Sequence, residues 1–203
     1  NANPAGAAEP PPDPDCDLTG VTRSAGWHDG PVSDLAQILT KAAVDTERHV
    51  ARLGWDQAPR LFALVRTDSL MSAEPGLRAQ LAGSAPDSLT SIEQEGLRKT
   101  SNIETMLGTL AWPEGVDGAA IALERIVVPP EAERDLPLHP TEATEALAAH
   151  PARKDVRLLA AVLRSGESIC LLRQRDHDSD DAVAVGADIA PGLVEALRAT
   201  LHD

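Results

Sequence analysis

Residues 155–175, "DVRLLAAVLRSGESICLLRQR", constrain this chain more than any other stretch. Two apolar runs of strand length flank Ser165-Gly166-Glu167, a turn signal, and read as a hairpin. Strands joined by so tight a turn run antiparallel, because a parallel pair needs a crossover of a dozen or more residues. A second hairpin is expected in "MLGTLAWPEGVDGAAIALERIVVPP": one strand ends at Trp112, "PEGVDG" turns, and the return runs from about Ala119 to Val128 before Pro129-Pro130. Two hairpins exclude a doubly wound nucleotide-binding architecture.

The remaining elements fit around them. In "PVSDLAQILTKAAVDTERHVARLGW", Ser33 is placed to cap a helix and Asp34 sits in its first turn. Leu35, Ile38, Leu39, Ala42, Thr46, His49, Val50 and Leu53 recur at helical spacing, and Gly54 supplies the stop. Pro59 then precedes "RLFALV", a short run apolar on both sides, which reads as a strand buried on both faces. The connection "GWDQAP" is a tight joint. Trp55 is expected to pack between helix and strand, with Asp56 accepting hydrogen bonds in the turn. Residues 67–106 are irregular, and the capping-box patterns Thr90-Ser-Ile-Glu93 and Ser101-Asn-Ile-Glu104 predict short helices there. "TEATEALAAHP" predicts a helix ended by Pro151, "AVAVG" a further strand, and "IAPGLVEALRATL" a last helix. The expected fold is therefore α+β, a mainly antiparallel sheet of about five strands with helices packed on one side. Residues 1–30, rich in Pro, Ala, Gly and Asp and without periodicity, read as a disordered or loosely attached tail. Residues 31–203 read as one α+β domain with an irregular insertion at 67–106.

Composition narrows the function classes. Aromatics make up 2% of the chain, so the core must be built from Leu, Val, Ile and Ala. With 18 basic against 32 acidic residues, the net charge is −14, and no basic run occurs. Phosphate contacts dominate nucleic-acid affinity, and anionic membranes attract basic segments, so neither DNA, RNA nor a membrane surface is an expected partner. Cys16 in the tail and Cys170 in an apolar run do not make a disulfide framework, and a cytoplasmic setting is expected. No run approaches membrane-spanning length.

Catalytic and metal motifs are weak. In "RDHDSDDAVAVG", Asp176, Asp178 and Asp180 alternate as in a calcium loop. The sixth position is Asp181 where Gly is required, and the twelfth is Ala187 where a bidentate Glu belongs, so no metal is expected. "SGESIC" lacks the second Gly of a nucleophile elbow, and Cys170 reads as a small core residue. No phosphate loop, dinucleotide fingerprint or zinc motif occurs, and no cofactor is expected. Neighbours on a strand face opposite ways, so one of Glu124 and Arg125 must face the helix layer or a groove. A buried arginine there needs a carboxylate from Glu or Asp56, or a ligand anion. Arg157 and Arg173 of the other hairpin can line up with it, either as an anion-binding cluster or, the favoured reading, as part of an ion-pair network. The binding candidates are Trp55, Asp56, Trp112, Arg125 and Arg157.

The blocks "LGWDQAPRLFALV", "LGTLAWPEGVDGAAIALERIVVPP" and "HPARKDVRLLAAVLR" resemble an actinobacterial family of conserved proteins with no assigned function, over most of residues 33–201. That resemblance implies a soluble cytoplasmic domain and carries no catalytic residues with it. The element order also resembles that of type III secretion chaperones, a likeness of fold rather than function. The expected role is a non-enzymatic protein-interaction or chaperone-like adaptor, binding a protein or peptide partner or a second copy as a homodimer. The alternative is a small-ligand binder or enzyme that uses a pocket between sheet and helices.

Overall fold

The computed structural model describes residues 34–95 and 103–202. The expected tail with Cys16, Trp27 and His28 lies outside them, as do Ser33 and Ser101. Helix α1 (Asp34–Ala51) leads into β1 (Arg60–Arg66), the short helices α2 (Thr67–Ala73) and α3 (Arg78–Leu81), β2 (Leu89–Glu93) and α4 (Ile103–Leu107). Then come β3 (Gly118–Val127), α5 (Pro130–Glu133), α6 (Pro140–Ala149), β4 (Lys154–Leu163), β5 (Ser168–Gln174), β6 (Ala184–Gly186) and α7 (Pro191–Ala199). The six strands form one sheet in the order β2-β1-β3-β4-β5-β6, with every pairing antiparallel. The α+β class and the mainly antiparallel sheet are as expected.

Three details differ from the sequence reading. Helices cover both faces of the sheet. Leu39, Ala43 and Val50 of α1 pack on Phe62, Leu64, Leu159 and Leu171. Leu193, Val194 and Leu197 of α7, with Leu107 of α4, pack on Leu61, Ile121 and Val162. The signal was present, since "GAAIAL" and "RLLAAVL" are continuous rather than alternating runs, the pattern of strands buried on both sides. The middle of the sheet is paved with alanine, Ala119 and Ala160 towards α7 and Ala120, Ala122 and Ala161 towards α1. The bulk that fills each layer therefore comes largely from helix leucines and valines.

The second difference is the first hairpin. No strand ends at Trp112; that stretch is the end of α4 followed by irregular chain, and β3 pairs with β1 and β4. Trp112 is anchored on the α7 side, where its Nε1 donates to Thr200 Oγ1 at 2.9 Å. Finally, Thr90-Ser-Ile-Glu93 is strand β2, not a helix start. Pairing with β1 through five residues outweighs the local capping signal. Gly118 opens β3 where β4 lies so close that a Cβ would stand 2.3 Å from the Val162 carbonyl oxygen.

Candidate functional site

Strand register gathers the charges. Glu124 of β3 lies opposite Arg157 of β4, which lies opposite Arg173 of β5, so the three form one row across the α1 face of the sheet. Like charges placed side by side on a sheet repel, so each arginine there needs its own counter-charge. Arg173 finds it in Glu47, which α1 turns inward: Nε to Oε1 is 2.6 Å and Nη2 to Oε2 is 2.8 Å, with both side chains at most 3% exposed. The outer edge of the same guanidinium takes Asp178 at 3.1 Å and Asp180 at 2.7 Å. These partners hold Arg173 cationic well above the ordinary arginine range, Glu47 first among the causes. Arg157 donates through Nη2 to Glu124 at 2.9 Å and to the Gly54 carbonyl.

The "GWDQ" turn closes this layer. Gly54, at φ 81°, ends α1 in the left-handed conformation that glycine adopts without penalty. Asp56 follows at φ 66°, a region that Asp tolerates better than most residues. The turn aims two main-chain N–H groups at the Glu124 carboxylate, Asp56 at 2.9 Å and Gln57 at 3.4 Å. Trp55 lies over the Arg157 guanidinium, 4.4 Å from carbon to ring centroid, with Arg175 at 5.5 Å. Its Nε1 donates to Asp178 at 2.8 Å. The Asp56 carboxylate receives both Nη atoms of Arg175, at 2.9 and 2.8 Å, and this pairing holds its pKa below the usual carboxylate value. Asp180 is lowered in the same way by its hydrogen bond to Arg173.

Of the five candidates, Trp55, Asp56, Arg125 and Arg157 therefore meet near the start of β4. A surface cleft of about 310 Å³ lies there, lined by Trp55, Asp56 and Arg125 among others. Arg125 is exposed, since it is Glu124 that faces the helix layer. Trp112 does not join them: it belongs to the core on the α7 side, and its carbonyl accepts from Arg164 beyond the far end of β4. Glu47, Arg175, Asp178 and Asp180 were not anticipated as a group. Glu47 is the one charged residue on the buried stripe of α1, which is the signal that marks it. His49, expected on that stripe, is exposed. Cys170 is fully buried, and burial pushes its thiol pKa up, as suits a core residue.

A second concave region lies between α1 and β2. One hollow of about 550 Å³ is bounded by Ile38, Lys41, Asp87 and Leu89. An adjoining one of about 470 Å³ is bounded by His49, Phe62, Ser91 and Glu93, and Ala42, Asp45 and Leu89 line both. Thr46 Oγ1 and Ser91 Oγ, 2.6 Å apart, stitch helix to strand.

Fold and site together define an α+β protein with a helix-covered antiparallel sheet, braced at one end by a paired arginine–carboxylate layer and grooved along one edge. The chain belongs to the PPA1309-like protein family, whose model matches residues 39–202, a span holding both the layer and most of the groove. No curated protein and no solved structure matches it. Among the described residues, no helix is long and apolar enough to cross a membrane.

Proposed function

We propose that this protein is a non-enzymatic interaction module that binds a protein partner in the groove between α1 and β2. The observation that carries this reading is the pair of adjoining hollows alongside an edge strand. The charged layer under Trp55, by contrast, uses its arginines and carboxylates largely on one another. A buried free thiol at Cys170 suits a reducing cytoplasm, and the GWDQ and AWP blocks suit an actinobacterial source. The test is affinity capture from the native lysate with light scattering on the purified chain. A recurrent partner retained by the native chain and lost with Ile38→Arg supports the reading. A clean monomer that captures nothing defeats it.

A second reading, a small-ligand site in the cleft beside Trp55, is favoured by one observation. Arg157 is 2% exposed, yet its Nε and Nη1 have no acceptor among the described residues. A thermal-shift screen of small carboxylates and phosphates checks it. A hit abolished by Arg125→Ala would support this reading, and a flat screen would end it.

A further inference from the structure

The two edges of the sheet are not alike. The β6 edge is three residues long, whereas β2 offers five, Leu89-Thr90-Ser91-Ile92-Glu93, with no proline, no lysine and one charge at its end. Natural edge strands are usually shortened, bulged or charged against further pairing. The register tells which backbone groups are free. Gln94 donates to the Leu61 carbonyl and Thr67 to the Ser88 carbonyl, so the even-numbered residues of β2 bond inward to β1. The N–H and C=O groups of Leu89, Ser91 and Glu93 point outward, and among the described residues they have no partner. The side chains of the same three residues line the α1 groove. Backbone donors and acceptors at alternate positions beside side-chain hollows are what an added strand requires.

We propose, resting on the interaction reading above, that the partner enters as an extended basic segment that adds a seventh strand to β2 and sends alternate side chains into the α1 groove. Charge chooses this occupant. The groove carries Asp45, Asp87 and Glu93; Lys41 pairs with Asp45 and Arg60 with Glu93, each at 2.6 Å, so Asp87 and the chain's net charge of −14 set the sign of the field. A second copy pairing about Ser91 would bring two such chains together and set Leu89 against Glu93. A basic segment gains from the same field.

The probe is a displayed library of random twelve-residue peptides selected on the full chain, with the best binder synthesised plain and N-methylated at alternate residues. The expected binder is rich in Lys or Arg and weakens as salt rises. It should lose at least tenfold in affinity on N-methylation in one register only. Ser91→Pro removes an outward N–H without touching the β1 ladder and should cost a similar factor beyond whatever is lost in Ser91→Ala, which keeps that N–H and loses only the hydroxyl bonded to Thr46. Glu93→Pro, measured against Glu93→Gln, which loses the same carboxylate and its pairing with Arg60 but keeps the N–H, repeats the test at an exposed position should the first variant fold poorly. Binders indifferent to N-methylation and to both prolines overturn strand addition, as do selected peptides that are neutral or acidic. A dimer of the native chain that Ser91→Pro dissociates assigns the edge to a second copy and overturns the basic segment. A lysate partner that survives both prolines but is lost with Ile38→Arg sinks strand addition and leaves the interaction reading standing. An empty selection together with an empty capture sinks both.

Discussion

The charged layer under Trp55 and the edge at β2 sit on the same sheet and answer opposite demands. In the layer, Arg157 and Arg173 are buried side by side against carboxylates from β3, α1 and the segment after β5, and two amides of a turn donate in their turn to one of those carboxylates, Glu124. At the edge, three residues face outward beside a hollow with backbone groups that have no partner among the described residues. The polar cluster holds α1, the turn and the ends of β3, β4 and β5 together, while the segment LTSIE has bonding capacity unused among the described residues.

The largest effect should come from the layer. Arg173→Ala leaves Glu47 buried without its counter-charge and should lower stability by about 3–5 kcal/mol in urea unfolding. Replacing both partners with Leu and Met should recover much of that, because the pair's burial is costly in itself. If Arg173→Ala unfolds at nearly the native urea midpoint, the layer is not the brace described.

Next in size is Trp55. The sequence placed Trp55 between helix and strand, and truncating a Trp buried there to Ala would cost about 3 kcal/mol or more. The ring is only partly buried, so its stacking on Arg157 and its bond to Asp178 should together be worth about 2 kcal/mol. Trp55→Phe, keeping the stack and losing the N–H, should fall between native and Ala. Equal losses for Phe and Ala would assign the whole effect to the hydrogen bond.

Acid should loosen the layer before the rest. Asp56 and Asp180 have folded pKa values below the ordinary 3.8, so beneath pH 3.8 the unfolded chain binds more protons than the folded one. Their contribution is complete above about pH 4 and is lost as pH falls through the lowered values. Trp55 fluorescence should report that change, and Asp56→Asn should flatten it. The smallest effect belongs to the groove: Ile38→Arg should shift stability by no more than about 0.5 kcal/mol, being a partly exposed surface substitution.

Much of this was legible in the sequence, and the misses have physical causes. The β4–β5 hairpin, α1 with its Gly54 stop, β1 and α7 follow from periodicity and turn chemistry, which act locally. β2 was read as a helix cap, because Thr90 and Glu93 at capping-box spacing satisfy a local rule that only pairing with β1 overrules. The joint at Trp55 and Asp56 was legible as architecture, and Arg157 and Arg173 as aligned with the Glu124-Arg125 position, although the sequence pointed to a cluster of arginines rather than to the Glu124–Arg157 pair. That Glu47 on a helix and Asp180 beyond β5 converge on one arginine depends on register and long-range packing, which no local pattern encodes. The open edge went unnoticed because it is defined by a neighbour that β2 lacks among the described residues.

The most direct measurement is paired capture from native lysate with two full-length variants, Ile38→Arg in the groove and Arg125→Ala at the cleft, each first matched to the native chain by circular dichroism. Partner loss with Ile38→Arg and retention with Arg125→Ala is the predicted result. The reverse pattern would place the working surface at Trp55 and make the joint, rather than the edge, the site.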